Sequence, residues 1–462
     1  MKHLPYLFVF ILLLIPAISE AQRQTTPYEA LIQRSDRPNS YITDVLLPSE
    51  DGATVGALFR LDYDLIPFLR VRPDMNDTPD GAEYFAPIQM GIEFFEGRVN
   101  TTRRNQSNNM PSVYRDSYLD TVYVSSFEQT RSRQQHVQGV LNTSIEPGSY
   151  NYELQLTRAQ STEEQSSTRR NIEVPSYDTL SRANVMLLSN FNSNNSKATG
   201  TFLNYGDNVL YGSDYSLMIV LPNSETNEDY NVEIYRMESG RSDDTMPEPT
   251  FEYSLTSDEI ISGANYQLNR GSDGVEFTMD ITTDSARFGV VSVPNSGFEN
   301  ARYRIQILDS EDQVLGSKTV NSRWLDMPIS LLNIDVAINM MRFIVSDSEL
   351  DRLQRGSSAE KERKFREYWE QRDPTPDTEF NELMTEYYNR IDYAYRNFTT
   401  PQTPGYESDQ GHAYILYGQP DNVKRRLPTD QPTRELWEYP NRTLVFEATT
   451  GFGDFKLVEE RQ

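Results

Sequence analysis

A mainly β protein with a C-terminal α+β domain is the fold class this sequence predicts, and three observations predict it. From Tyr41 to about residue 322 the chain is written in short runs of alternating apolar and polar residues, broken by Gly, Pro, Asn and Asp. Near Trp324 the apolar period changes from two to about 3.6, and four strand-like runs close the chain behind the helical ones. No cysteine occurs among the 462 residues, so burial and ladder hydrogen bonds must hold the fold without disulfide staples.

Met1-Lys2-His3 is a short basic start, Leu4 to Ile18 is almost wholly apolar, and Ser19-Glu20-Ala21 supplies small residues. This reads as a signal peptide, 1–21, cleaved after Ala21, with export to the periplasm, the outer surface or the medium. The run is short for a membrane anchor and is interrupted by Pro5 and Pro16. Residues 22–40 are polar, with a weakly helical piece from Tyr28 to Gln33, and read as a linker. The formal charge of −26 survives removal of the leader, which takes one Lys and one Glu. Such a field disfavours nucleic acid and anionic membrane surfaces, since both need cations to neutralise phosphate, and favours solubility and basic partners or calcium.

The strand runs fall into two tandem β-sandwich (Ig-like) domains, 41–175 and 176–322. Thr54 to Leu61, Ile88 to Phe95, Leu119 to Val124, His136 to Leu141 and Tyr150 to Leu156 belong to the first. Val185 to Leu188, Tyr215 to Leu221, Tyr230 to Tyr235, Arg287 to Val293 and Tyr303 to Leu308 belong to the second, with a hairpin turn at Asp309-Ser310-Glu311-Asp312.

Residues 323–462 make the α+β domain. Leu331 to Phe343 is a candidate helix. Ser346 with Glu349 and Ser357 with Glu360 are capping boxes, and Gly356 stands where a helix end wants a left-handed residue. Pro374 and Pro376 stop the second capped helix. Glu379 to Phe398 is the strongest helix, with Phe380, Leu383, Met384, Tyr387, Tyr388, Ile391, Tyr395 and Phe398 as a stripe meant for the strands that follow. Those strands are expected at Ala413–Tyr417, Leu436–Tyr439, Leu444–Ala448 and Phe455–Val458.

Several pieces of this region resemble the GWxTD domain of exported bacterial proteins. They are Arg372-Asp373-Pro374-Thr375-Pro376, Asn381-Glu382, Gly405-Tyr406-Glu407-Ser408-Asp409, Gly411 to Asp421, Glu435 to Tyr439 and Gly451 to Phe455. Tyr406 stands where the naming motif has Trp and Ser408 where it has Thr; Gln410 replaces a usual Arg and Gln419 a frequent Pro. The resemblance implies a strand and turn over Gly411–Asp421 and a bacterial envelope setting, and it implies no mechanism.

Each chemical candidate has a structural reading beside it. Asp409 with Ser408 is either a ligand-binding or catalytic carboxylate or a pair of backbone caps at a turn. Arg372 offers a guanidinium to an anion, or with Asp373 clamps two helix ends. Glu382 sits where an acid meets the positive end of a helix dipole. Binding candidates are therefore Arg372, Tyr406, Ser408, Asp409 and Tyr417. Catalytic candidates are Asp373, Glu382, Asp409 and Asp421, with no catalytic role assigned to any. His136 and His412 lack the companions of a zinc site. Calcium is the one metal with a case, at Asp309-Ser310-Glu311-Asp312 and Ser242-Asp243-Asp244, and no other cofactor is expected. The function expected is an exported, soluble envelope or surface protein acting through protein interaction. A carboxylate-dependent hydrolase and an assembly factor for an envelope complex are the alternatives.

Overall fold

Alternating runs become strands, and the way their two faces are buried sets the architecture. The computed structural model describes residues 27–34, 38–49, 51–75, 77–99, 110–127, 129–133, 135–157, 164–166, 169–223, 228–237, 248–283, 285–378, 380–427, 432–449 and 453–461. The signal-peptide assignment, Ser242-Asp243-Asp244 and Glu379 therefore fall outside the described residues. The chain divides into two units. One takes Arg37–Met327 and Trp369–Met384; the other takes Pro328–Tyr368, Thr385–Gln462 and the described part of Met1–Asp36.

In the larger unit the first nine strands are β1 (Ser40–Ser49), β2 (Gly52–Asp62), β3 (Leu69–Arg70), β4 (Tyr84–Glu96), β5 (Ser112–Val124), β6 (His136–Ile145), β7 (Gly148–Thr157), β8 (Glu164–Ser166) and β9 (Arg170–Val174). They form one sheet of order β1-β2-β6 and another of order β3-β4-β7-β8, with β5 added to β4 and β9 to β7. Val55, Ala57, Phe59 and Leu61, every second residue of β2, share a core with Ile88, Met90, Ile92 and Phe94 of β4. Leu58 faces the other way.

The next eleven strands are β10 (Asn184–Ser193), β11 (Lys197–Phe202), β12 (Asn208–Leu210), β13 (Tyr215–Val220), β14 (Tyr230–Met237), β15 (Phe251–Leu255), β16 (Ile261–Arg270), β17 (Val275–Ile281), β18 (Ala286–Val293), β19 (Arg302–Leu308) and β20 (Val314–Arg323). A ring β10-β11-β17-β16-β18-β13 closes into a barrel, and β12-β20-β19-β14-β15 form a five-stranded sheet. In β10, Val185 and Leu187 enter the core shared with Val232, Ile305 and Ile307. Met186 and Leu188 enter a different core, with Met218, Phe277 and, from the first sheet, Val45, Leu47 and Leu58. Strands buried on both faces lose polar alternation, which is why these segments read as continuous apolar runs. The β1-β2-β6 sheet thus has apolar cover on both faces, and the two sandwich blocks share a core across it.

The smaller unit is the helical segment and small antiparallel sheet. Its helices are α1 (Pro27–Arg34), α2 (Ile334–Met340), α3 (Asp347–Gln354), most of α4 (Ser358–Glu370), most of α5 (Glu382–Phe398) and α6 (Asp409–Tyr417). The sheet runs β21 (Asn422–Arg426), β22 (Arg434–Tyr439), β23 (Arg442–Ala448) and β24 (Phe455–Arg461), in that order. The Ser357–Glu360 box closes both ways, Glu360 Oε2 accepting from Ser357 N–H at 2.8 Å and Ser357 Oγ from Glu360 N–H at 3.4 Å; at Ser346 the Oγ accepts from Glu349 N–H while the Glu349 carboxylate pairs with Arg352. The helix expected over Leu331–Phe343 is broken by Asn333, whose side chain caps α2 by accepting from Asp335 and Val336 N–H.

Two expectations are corrected here. Ala413–Tyr417 is a helix, not the first strand of the sheet. A short apolar run is ambiguous by period, and its ends decide it: Ser408 caps the start and Gly418, at φ +78°, closes the end. The first strand is Asn422–Arg426 instead. The second correction concerns the aromatic stripe. Tyr387 and Tyr388 donate their hydroxyls to Met340 and Ala337 carbonyls of the α2 segment, at 2.6 and 2.8 Å. The far end of α5 meets the sheet, through Phe398 on Trp437. Leu383 is exposed, and Phe380 precedes the helix and packs on Trp324 and Tyr211 in the larger unit. No described helix is long and apolar enough to cross a membrane.

Candidate functional site

The motif Gly405–Asp409 is a turn that launches α6, and its residue types follow from close packing. A Cβ on Gly405 would lie 2.0 Å from Ala394 O and 2.7 Å from Thr399 N of the α5 end; one on Gly411 would lie 1.8 Å from Gly405 O. Only glycine lets these backbones meet. Gly405 N–H donates to Thr399 Oγ1 at 2.8 Å, and that hydroxyl donates to Tyr395 O. Ser408 Oγ donates to Gly405 O at 2.7 Å and accepts from Gly411 N–H at 3.0 Å. Tyr406 is buried, stacked on Tyr395 and edge-on to Tyr28, with the Arg342 guanidinium over its ring. Ser408 thus bonds backbone at the turn, and Tyr406 packs in the interior.

Asp409 opens α6 and reaches β24. Its Oδ2 accepts from Leu457 N–H at 2.8 Å and its Oδ1 pairs with Lys456 at 3.1 Å, so both oxygens are spent capping an edge strand. Asp421 lies past the other end of α6, where its N–H donates to Glu438 O of β22. Asp409 is thus tied to β24 and the backbone of Asp421 to β22, two strands that do not pair with each other. Tyr417 is half-exposed, edge-on to Tyr439 and covered by Arg442.

In the larger unit, Asp373 and Glu382 do meet, at Thr375. Asp373 Oδ1 accepts from Thr375 N–H at 2.9 Å, and Thr375 Oγ1 donates to Glu382 Oε2 at 2.5 Å. Asn381 caps α5, accepting from Met384 N–H at 2.8 Å while its amide donates to Trp369 O. Arg372 sits on the exposed turn before them, its N–H donated to Trp369 O.

Among the described residues, two buried acids that the sequence does not single out lie in the smaller unit beside the motif. Asp392 of α5 is 3% exposed and accepts from Tyr28 Oη at 2.7 Å, Ile329 N at 2.6 Å and Ser330 Oγ at 3.0 Å. Burial pushes its carboxyl above the usual range, against the pull of Tyr28, Ile329, Arg396 and Ser330. Burial, with Asp392 beside it, drives the Tyr28 hydroxyl strongly upward. Residues 27–34, expected as part of a linker, thereby belong to the smaller unit. The second group is Glu435, which takes Gln410 Nε2 at 2.7 Å and Arg425 Nε at 2.7 Å. Gln410, at a position where the resembled family carries a cation, supplies a neutral donor. A buried aspartate on a helix otherwise lined with tyrosines was the one readable sign of Asp392; its Tyr28 partner gave none.

The calcium candidate at Asp309 is a tight turn, its Oδ1 accepting from Glu311 and Gln313 N–H, both at 2.9 Å. Among the described residues no group of three or more His, Cys, Asp and Glu is placed to hold a metal ion. His136 lies in β6 opposite Asp62, and His412 packs beside Phe343.

The fold and site together define a layered β protein whose C-terminal motif residues serve as caps, wedges and core. The family model of the GWxTD domain matches residues 313–456, the stretch whose motif residues carry that resemblance. No curated protein matches the chain. Among solved structures, the type II cohesin dyad from the adaptor ScaA scaffoldin of Acetivibrio cellulolyticus matches at 10% identity, over 61% of this chain and 93% of that one. Its TM-score of 0.14 is too low to carry any inference.

Proposed function

We propose that this is an exported envelope or surface protein that works as a protein-interaction and structural module. The layered β region acts as spacer and the GWxTD-like tail as the docking part. One observation carries the reading: Asp409, the acid of the naming motif, has one oxygen on a backbone N–H and the other on a lysine, as a structural cap does. A general base needs a lone pair turned toward a substrate. The leader Met1–Ala21 supports export, and the −26 charge supports a protein partner over nucleic acid. Photo-crosslinking from the tail of the full chain in its source cells should repeatedly give one envelope protein; adducts distributed as in a scrambled control would refute the reading.

A carboxylate-dependent hydrolase has one observation in its favour, the meeting of Asp373 and Glu382 at Thr375. Glu382→Gln then abolishes any hydrolysis found in a screen of ester, peptide and glycoside substrates.

A further inference from the structure

The two edges of the small sheet are treated differently. At β24, where Lys456 to Arg461 are exposed too, the N–H of Leu457 is taken by the Asp409 carboxylate of α6 and Lys456 pairs with it. At β21 all five residues are exposed, and the strand is terminal in the sheet among the described residues. Every second N–H and C=O of such a strand points away from its neighbour, ready to pair.

The side chains of β21 state what can pair there. Its sequence is Asn422-Val423-Lys424-Arg425-Arg426, three cations and no acid in a chain of net charge −26. Lys424 and Arg426 share one face, because strand side chains alternate. Lys424 reaches back to Glu438 at 2.6 Å yet its side chain stays 53% exposed. Arg426 stands opposite Arg434, whose own partner is Glu447 on β23. Like charges directly opposite are unfavourable, so an acid on a further strand would relieve the pair. The other face carries Val423, 50% exposed and in register with buried Trp437.

We infer that the β21 edge binds an extended segment of a partner protein in which acidic and apolar residues alternate. The acids face Lys424 and Arg426, the apolar side chains extend the Val423–Trp437 face, and backbone pairing supplies the register. A second copy of this chain is disfavoured edge to edge: in the two-fold antiparallel pairing centred on Arg425, Lys424 would face Arg426 and Arg425 its own counterpart, cation against cation. The same cations that keep copies apart select an acidic strand.

This inference rests on the interaction reading and is tested with the purified full chain. The probe is a fluorescein-labelled, acetylated and amidated ten-residue peptide alternating valine and glutamate, read by fluorescence anisotropy. It should bind with Kd below about 1 mM and about tenfold tighter than a valine–lysine peptide. The fully N-methylated valine–glutamate peptide, which cannot donate to the edge, should not saturate. Lys424→Glu with Arg426→Glu should reverse the preference between the two peptides. Arg426→Glu alone, which breaks no ion pair found among the described residues, should weaken binding without altering circular dichroism. Absence of binding, equal binding of the N-methylated peptide, or an unchanged preference in the double variant overturns the inference. Crosslinks to the same envelope protein that persist in the double variant would keep the interaction reading and remove this edge from it.

Discussion

Tyr28→Phe isolates the buried one of two side-chain bonds that tie the N-terminal helix to α5, the other being Tyr395 Oη to Glu29. The ring stays, so its contacts with Tyr395 at 4.7 Å and Tyr406 at 5.5 Å are kept, and only the O–H donated to Asp392 is lost. Both partners are buried, at 1% and 3% exposure. A hydrogen bond to a charged group contributes about 1.5–3 kcal/mol, and removing its donor leaves the carboxylate one partner short. At about 1.4 kcal/mol per decade, local opening of α5 should become roughly 10- to 150-fold more frequent. Hydrogen exchange followed by mass spectrometry on peptides from 385–398 of the full chain measures this directly. Tyr28→Ala should cost about 3–5 kcal/mol, because it also empties the ring's site. A Tyr28→Phe protein whose α5 peptides exchange within about twofold of the parent would refute the argument that this bond is made and matters.

Asp392→Asn should change the pH dependence of stability. Because burial raises the folded carboxyl above its unfolded value, its contribution is fully present below about pH 4 and is lost as pH rises through the folded value. The advantage of the parent over Asp392→Asn should therefore shrink from about pH 4 upward, as urea titrations across pH will show; an advantage that grows with pH would contradict the assigned direction. Gly405→Ala forces a methyl against Ala394 O and Thr399 N, and should destabilise at the upper end of about 1–3 kcal/mol; thermal unfolding at parental temperature would show that the turn can relax. Trp437→Ala should cost about 3–5 kcal/mol, since the indole is 3% exposed in the core with Ala413, Leu444, Phe446 and Phe455. A change under about 1 kcal/mol would place the indole outside the core.

Much of the local structure was legible because its causes are local. The strand over Tyr150–Leu156, the helix cap at Ser346, the capping box at Ser357 and the turn at Asp309 each depend on residues within a few positions, and each appears where the sequence puts it. The motif was located correctly as well. Its shape was not, because Ala413–Tyr417 is a short apolar run whose period fits strand or helix equally. Ser408 and Gly418 at its ends settle it, the one as a helix cap and the other as a left-handed stop.

Other features were decided by distance along the chain. Tyr28 meets Asp392 across 364 positions, and no periodicity near either residue encodes that meeting. The β1-β2-β6 sheet draws Leu58 into one core and Phe59 into another, a choice made by what packs on each face. The role of Asp409 likewise depends on β24 arriving beside it, about fifty residues later in the chain. Sequence by itself determined the elements, their caps and the glycine-framed turn, since those obey steric and hydrogen-bond rules within a few residues. Only the tertiary structure decided which donors each acid meets, because a carboxylate's partners are set by what folding brings to it.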